Sequence, residues 1–227
     1  MSDTHNTAKT QFLETNGVRY AYRRFGSGNR PPLLCLQHFR GGLDNWDPQV
    51  TDGLAQGRSV ILFNNAGIAS SSGQPANNIA EMATHVIAFI DALKLEEIDL
   101  LGFSMGGFIA QQVTLDRPDL IRRLILAGTG PQGGEDMLAY PPEVTAQATI
   151  EVPTEESFLY LFFEPTDTSQ AAGRAFFGSA ETPERIRTLP RLCPPWRRRP
   201  PPLAPGERFQ IKTAMRASRP FVSRHWW

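Results

Sequence analysis

Ile98-Asp99-Leu100-Leu101-Gly102-Phe103-Ser104-Met105-Gly106-Gly107-Phe108 is the stretch on which the fold turns. Its first four residues read as a short buried strand. Beyond the serine, Met105, Phe108, Ile109 and Val113 recur at helical spacing. Between the two elements stands a Gly-x-Ser-x-Gly turn. Glycines two residues either side of Ser104 let the backbone turn tightly without a Cβ clash, which lifts the hydroxyl above the end of the strand. The helix that follows aims its N-terminus at that hydroxyl, a favourable place for developing negative charge. A glycine-rich turn can also serve only to pack a helix on a sheet. The strand–turn–helix setting, more than the bare pattern, points to a nucleophile.

Working outward, the same alternation repeats. Leu33-Leu34-Cys35-Leu36, Val60-Ile61-Leu62-Phe63 and Leu124-Ile125-Leu126-Ala127 are short apolar runs of the kind parallel sheets bury on both faces. Ile98 to Leu101 is a fourth, less uniform run. Met82, Val86, Phe89, Ile90 and Leu93 make one apolar helical stripe, and Asn78, three residues before Glu81, is placed to cap it. The helix after Ser104 is predicted to end before Pro118. Val18 to Tyr22 alternates with period two after Asn16-Gly17, a hairpin signal. Strand and helix in alternation predict an α/β fold, a mostly parallel open sheet with flanking helices. From 135 to 180 no strand is evident. Phe158, Leu161 and Phe162 share a helical face there, and Ala171 to Phe177 reads as a second short helix.

Two further turns follow apolar runs. Gln37-His38-Phe39-Arg40-Gly41-Gly42 ends the first, where a backbone N–H can be aimed at the serine; with the Met105 N–H it would form an oxyanion hole. His38 as general base would need an acid to orient it. Asn64 to Gly73 ends the second. It holds no lysine and no G-x-G-x-x-G spacing, so a structural role is its simplest reading.

Residues ~12–130 resemble the first half of an α/β-hydrolase, of the single-domain type that includes esterases, cofactor-free haloperoxidase-like enzymes and haloalkane dehalogenases. Leu36 to Gly41, followed by Asp44-Asn45-Trp46-Asp47-Pro48, is similar to the family's oxyanion segment, with Gln37-His38 in place of His-Gly and Phe39 as the matching donor. Phe63 to Ser72 is similar to a loop that usually holds an Asp and two glycines; Asn64 and Ala69 are departures. Gly102 to Gly107 matches the nucleophile turn, and a serine there implies ester-type chemistry rather than dehalogenation. Residues 135–180 look like the start of a helical lid. The resemblance implies a catalytic Ser104, with Phe39 and Met105 as the oxyanion hole. It also implies a later acid and histidine. The order of residues admits Asp136, Glu164 or Asp167 as acid and His225 as base, with His38 the alternative base.

The 227 residues carry 23 basic and 23 acidic side chains, but not evenly. Residues 1–180 hold 12 Lys/Arg against 20 Asp/Glu; residues 181–227 hold 11 against 3, with nine of the 19 prolines. The expected organisation is therefore a core over 1–134, a partial helical lid over 135–180 and a disordered Pro/Arg-rich tail over 181–227. Strand pattern, acidic balance and a well-placed histidine are lost together near 178–190. That coincidence suggests a truncated or frame-altered hydrolase, impaired in catalysis and poorly soluble because a sheet edge is left bare. A binding protein that offers its basic tail to acidic partners is the third reading.

No apolar run is long enough to span a membrane, and the polar first 15 residues do not read as a secretory signal. Cys35 and Cys193 give neither a disulfide framework nor metal-ligand spacing. A cytoplasmic protein is expected, with a small acyl substrate, no cofactor, no metal, and no nucleic acid or membrane partner.

Overall fold

Asn16 and Gly17, at φ 51° and 75°, fold β1 (Gln11–Thr15) back on β2 (Val18–Phe25), the hairpin that this dipeptide predicts. The computed structural model describes residues 3–131, 140–150 and 154–179. All of them belong to one unit, Met1–Cys193.

Four more strands complete a six-stranded sheet: β3 (Arg30–Leu36), β4 (Arg58–Phe63), β5 (Ile98–Phe103) and β6 (Ile121–Ala127). Their order is β1-β2-β4-β3-β5-β6. The pairs β4/β3, β3/β5 and β5/β6 are parallel, while β1/β2 and β2/β4 are antiparallel. From β3 the chain crosses to β4 on one side through α1 (Pro48–Leu54). It then returns to β5 on the other side through α2 (Ile79–Ala92). The strand order thus reverses at β3, which puts the topological switch point at the carboxyl ends of β3 and β5.

Alternation along the strands separates two cores. One face places Leu34, Leu36, Ile61 and Leu100 under Val86, Phe89 and Ile90 of α2 and Ile109 and Val113 of α3 (Met105–Asp116). The other places Leu33, Cys35, Val60, Leu62 and Leu101 against Leu43, Trp46 and Leu54. Asn78 caps α2 as expected, its side chain accepting from the Glu81 N–H at 2.8 Å. Helix α3 stops at Asp116, two residues before Pro118.

Two details differ from the sequence reading. The buried face of α3 is made mostly of small residues, Gly106, Gly107 and Ala110 alongside Ile109 and Val113, because this helix lies close against the strands. The run at 121–127 is a strand, yet Ile125 and Leu126 are 38% and 45% exposed. Strand β6 pairs only with β5, so among the described residues it is an edge.

Beyond β6 come α4 (Pro142–Ala148), α5 (Glu155–Phe162) and α6 (Asp167–Ser179), the helical segment expected over 135–180. Thr154 and Ser157 cap α5 reciprocally. Phe158 stacks on Phe176 at 5.7 Å between ring centroids, joining α5 to α6. Leu159 is buried while Phe162 stays 55% exposed, so the buried face of α5 is rotated from the stripe expected at 158, 161 and 162.

Candidate active site

The Gly102–Gly106 turn lies beside the reversal of strand order. Ser104 stands between β5 and α3 at φ 52°, ψ −120°, a left-handed conformation that costs a non-glycine residue of order 1–3 kcal/mol. Two backbone hydrogen bonds of 2.9 Å hold it there: its N–H donates to Ala127 O, and its carbonyl accepts from the Gly107 N–H. The residue is half-buried. Its hydroxyl does not cap the helix it precedes, unlike that of an ordinary N-cap serine.

The glycines around it act through close approach. A Cβ on Gly102 would come within 2.6 Å of the Gly107 Cα, and one on Gly106 within 2.5 Å of the Leu36 carbonyl carbon and 2.8 Å of Gln37 O. The first turn of α3 therefore lies directly on the end of β3, and Leu36 pairs with Gly102 across the two strands. That packing brings the Met105 end of α3 beside the loop that begins at Gln37.

In the loop, the His38 N–H donates to Gln37 Oε1 at 2.9 Å, and the Gly41 N–H closes a β-turn on His38 O at 2.9 Å. The His38 ring lies edge-on to Phe103 at 5.8 Å and faces Phe162 of α5 at 6.2 Å. Its Nδ1 is 2.7 Å from Phe39 O. A carbonyl only accepts, so Nδ1 carries the proton and Nε2 holds the lone pair. Burial pushes the His38 pKa down, with the Phe39 hydrogen bond opposing, and the ring is neutral at pH 7.

Of the sequence candidates, Ser104, Met105, His38 and Phe39 come together at the ends of β5 and β3. Glu164, just before α6, and Asp167, its first residue, are both exposed. Asp136 and His225 lie outside the described residues. Three residues support the site in ways the sequence reading did not assign. Asn64, 1% exposed, accepts from the Leu43 N–H at 2.6 Å, bracing the loop from the next strand. Trp46 packs on Phe103 at 6.3 Å. Arg40, 8% exposed, donates from Nη1 to Ile150 O at 2.6 Å. The only sequence signal for Asn64 was its departure from the usual Asp. Ala69, the other departure, sits at φ 48°, where glycine carries no steric cost.

A family model described as the alpha/beta hydrolase fold matches residues 31–171. The chain belongs to the alpha/beta hydrolase family. An alpha/beta hydrolase fold protein from Chitinophaga pinensis is 41% identical with a TM-score of 0.76, over 86% of this chain and 70% of its own. The 3-oxoadipate enol-lactonase 2 of Acinetobacter baylyi is 29% identical over 124 residues, 54% of this chain and 46% of that protein. A dihydrolipoyllysine-residue acetyltransferase component of the acetoin cleaving system, from Cupriavidus necator, is 35% identical over 130 residues, 57% of this chain and 34% of its own. The chain thus spans about a third to a half of these two curated relatives. Est816, described as an N-acyl homoserine lactone degrading enzyme, is 26% identical with a TM-score of 0.55, over 78% of this chain and 69% of its own.

Among the described residues no helix is long and apolar enough to cross a membrane, and no cluster of three or more His, Cys, Asp or Glu could hold a metal.

Proposed function

We propose that this chain is a serine hydrolase-type protein acting on small ester, lactone or related acyl compounds. The observation that carries the reading is the backbone of Ser104, a serine at φ 52° and ψ −120° whose hydroxyl is not engaged in capping the helix behind it. The lactone-cleaving relatives favour the same substrate class. In this reading Ser104 Oγ attacks the acyl carbonyl carbon. The N–H groups of Phe39 and Met105 hold the oxyanion, each contributing about 3 kcal/mol to the transition state. The C–O bond to the leaving group breaks, and water releases the acyl group from the serine. A histidine, His38 or His225, moves the proton. Helices α4 to α6 act as a lid over the acyl group.

One observation favours a second reading, a hydrolase fold that keeps its nucleophile but turns over weakly. Nδ1 of His38 is committed to the Phe39 carbonyl rather than to a carboxylate, so no acid orients that ring as a triad requires. A fluorophosphonate probe tests both readings. Labelling of the folded wild type that disappears in Ser104→Ala supports an activated serine. Ester or lactone turnover alongside labelling selects the first reading, and labelling without turnover the second. A folded wild type that takes no label refutes both.

A further inference from the structure

Arg40 occupies the third position of the His38–Gly41 turn at φ 64°, a place that favours glycine or asparagine. A long cation there strains the backbone, yet its side chain is almost wholly buried, 8% exposed, instead of reaching into water. The guanidinium reaches across 110 residues of sequence to the carbonyl of Ile150, just beyond the C-terminal end of α4. Helix α4 has no fully buried residue of its own, so a directed contact carries weight in holding it. On the other side of Phe39, His38 bonds the Phe39 carbonyl and sets its ring against Phe162 of α5. The two neighbours of Phe39 thus reach two successive helices of the same segment.

We infer that Arg40 is a positioning residue, holding the α4 end of the helical segment against the turn that carries Phe39, so that one turn sets both the lid and the oxyanion donor. This rests on the role given above to Phe39 and Ser104. The guanidinium donates to Ile150 O, and the turn it holds directs the Phe39 N–H. A chain in which this contact is broken loses order in α4 and alignment at Phe39 together.

Arg40→Gly removes the side chain and suits the turn's φ, and Arg40→Lys keeps the charge and one donor. Two measurements on the full-length chain read the effect. The first is amide hydrogen exchange of peptides covering 141–150. The second is the rate of Ser104 phosphonylation by an alkyl fluorophosphonate, resolved into its maximal rate and half-saturating concentration. Arg40→Gly is expected to speed exchange in 141–150 about tenfold and to lower the maximal rate about ten- to a hundredfold, at unchanged melting temperature, with Arg40→Lys restoring part of both. Unchanged exchange over 141–150 in Arg40→Gly overturns the tether. Faster exchange with an unchanged maximal rate overturns the link to Phe39. If the folded wild type takes no label, the serine-hydrolase reading fails and the link to Phe39 fails with it, while exchange still decides the tether separately.

Discussion

Ser104 is held in a conformation that its own backbone resists, and that resistance is measurable. Replacing it with glycine relieves left-handed strain of order 1–3 kcal/mol, against about 0.5–1 kcal/mol of added chain entropy. Ser104→Gly is therefore expected to unfold at higher urea by about 1 kcal/mol while losing all reaction with the fluorophosphonate. A lower urea midpoint would show that the turn stores no strain. Gly106 sets the opposite case. A Cβ there meets the Leu36 and Gln37 backbone at 2.5–2.8 Å, atoms that cannot move aside like the end of a side chain. Gly106→Ala is expected to lower stability by about 1–3 kcal/mol in the same titration, and an unchanged midpoint would refute the close contact between α3 and β3. Both positions were legible in the sequence, because a serine between paired glycines after an apolar run leaves the chain few other conformations. Arg40 and Asn64 were not legible. Their roles depend on partners 110 and 21 residues away, and no local pattern encodes that distance.

At the scale of elements, apolar periodicity placed the four parallel strands and α2, and Asn78 marked where α2 begins. The irregularity in the fourth strand also has a physical cause. Asp99, the charge that interrupts it, is 1% exposed in β5. It accepts from Arg58 of β4 at 2.6 Å and from Arg122 of β6 at 2.9 and 2.7 Å, strapping β6 to the centre of the sheet. Periodicity shows which face a residue takes but not which charges meet across three strands, so the strap was invisible beforehand. Burial pushes the Asp99 pKa up, but hydrogen bonds from Arg122 and Arg58 outweigh it and hold the carboxyl below its usual range. Since the folded pKa is the lower one, this stabilisation is present above the unfolded value of about 3.9 and is lost as pH falls through the folded value. Asp99→Asn leaves the Arg58 guanidinium buried without its counter-charge. The variant is expected to lose about 3–5 kcal/mol at pH 7, with the gap to wild type narrowing below about pH 4. Urea titrations at pH 7 and pH 3 check this, and a gap of equal size at both would refute the ionic strap.

At the scale of the whole molecule, β6 departs most from what its sequence implies. Leu124 to Ala127 reads as a run covered on both faces, yet among the described residues one side of β6 is unpaired and Ile125 and Leu126 stand open. Successive strand residues point to opposite faces, so these two side chains expose apolar surface on both sides of the same edge. An edge with free N–H and C=O groups and apolar flanks is a template for another strand. The chain is accordingly expected to self-associate between about 1 and 100 μM, seen as light scattering that rises faster than concentration. Lysine at either position places a charge where a second strand would dock. Ile125→Lys with Leu126→Lys is expected to suppress the scattering while the urea midpoint stays within about 0.5 kcal/mol of wild type, as for other exposed substitutions. Two results would refute an available edge: a wild type that stays monomeric over the whole range, or a double variant that associates as strongly. Since Ser104 follows the carboxyl end of β5, one strand in from this edge, any labelling of Ser104 in the soluble double variant should match the rate in dilute wild type.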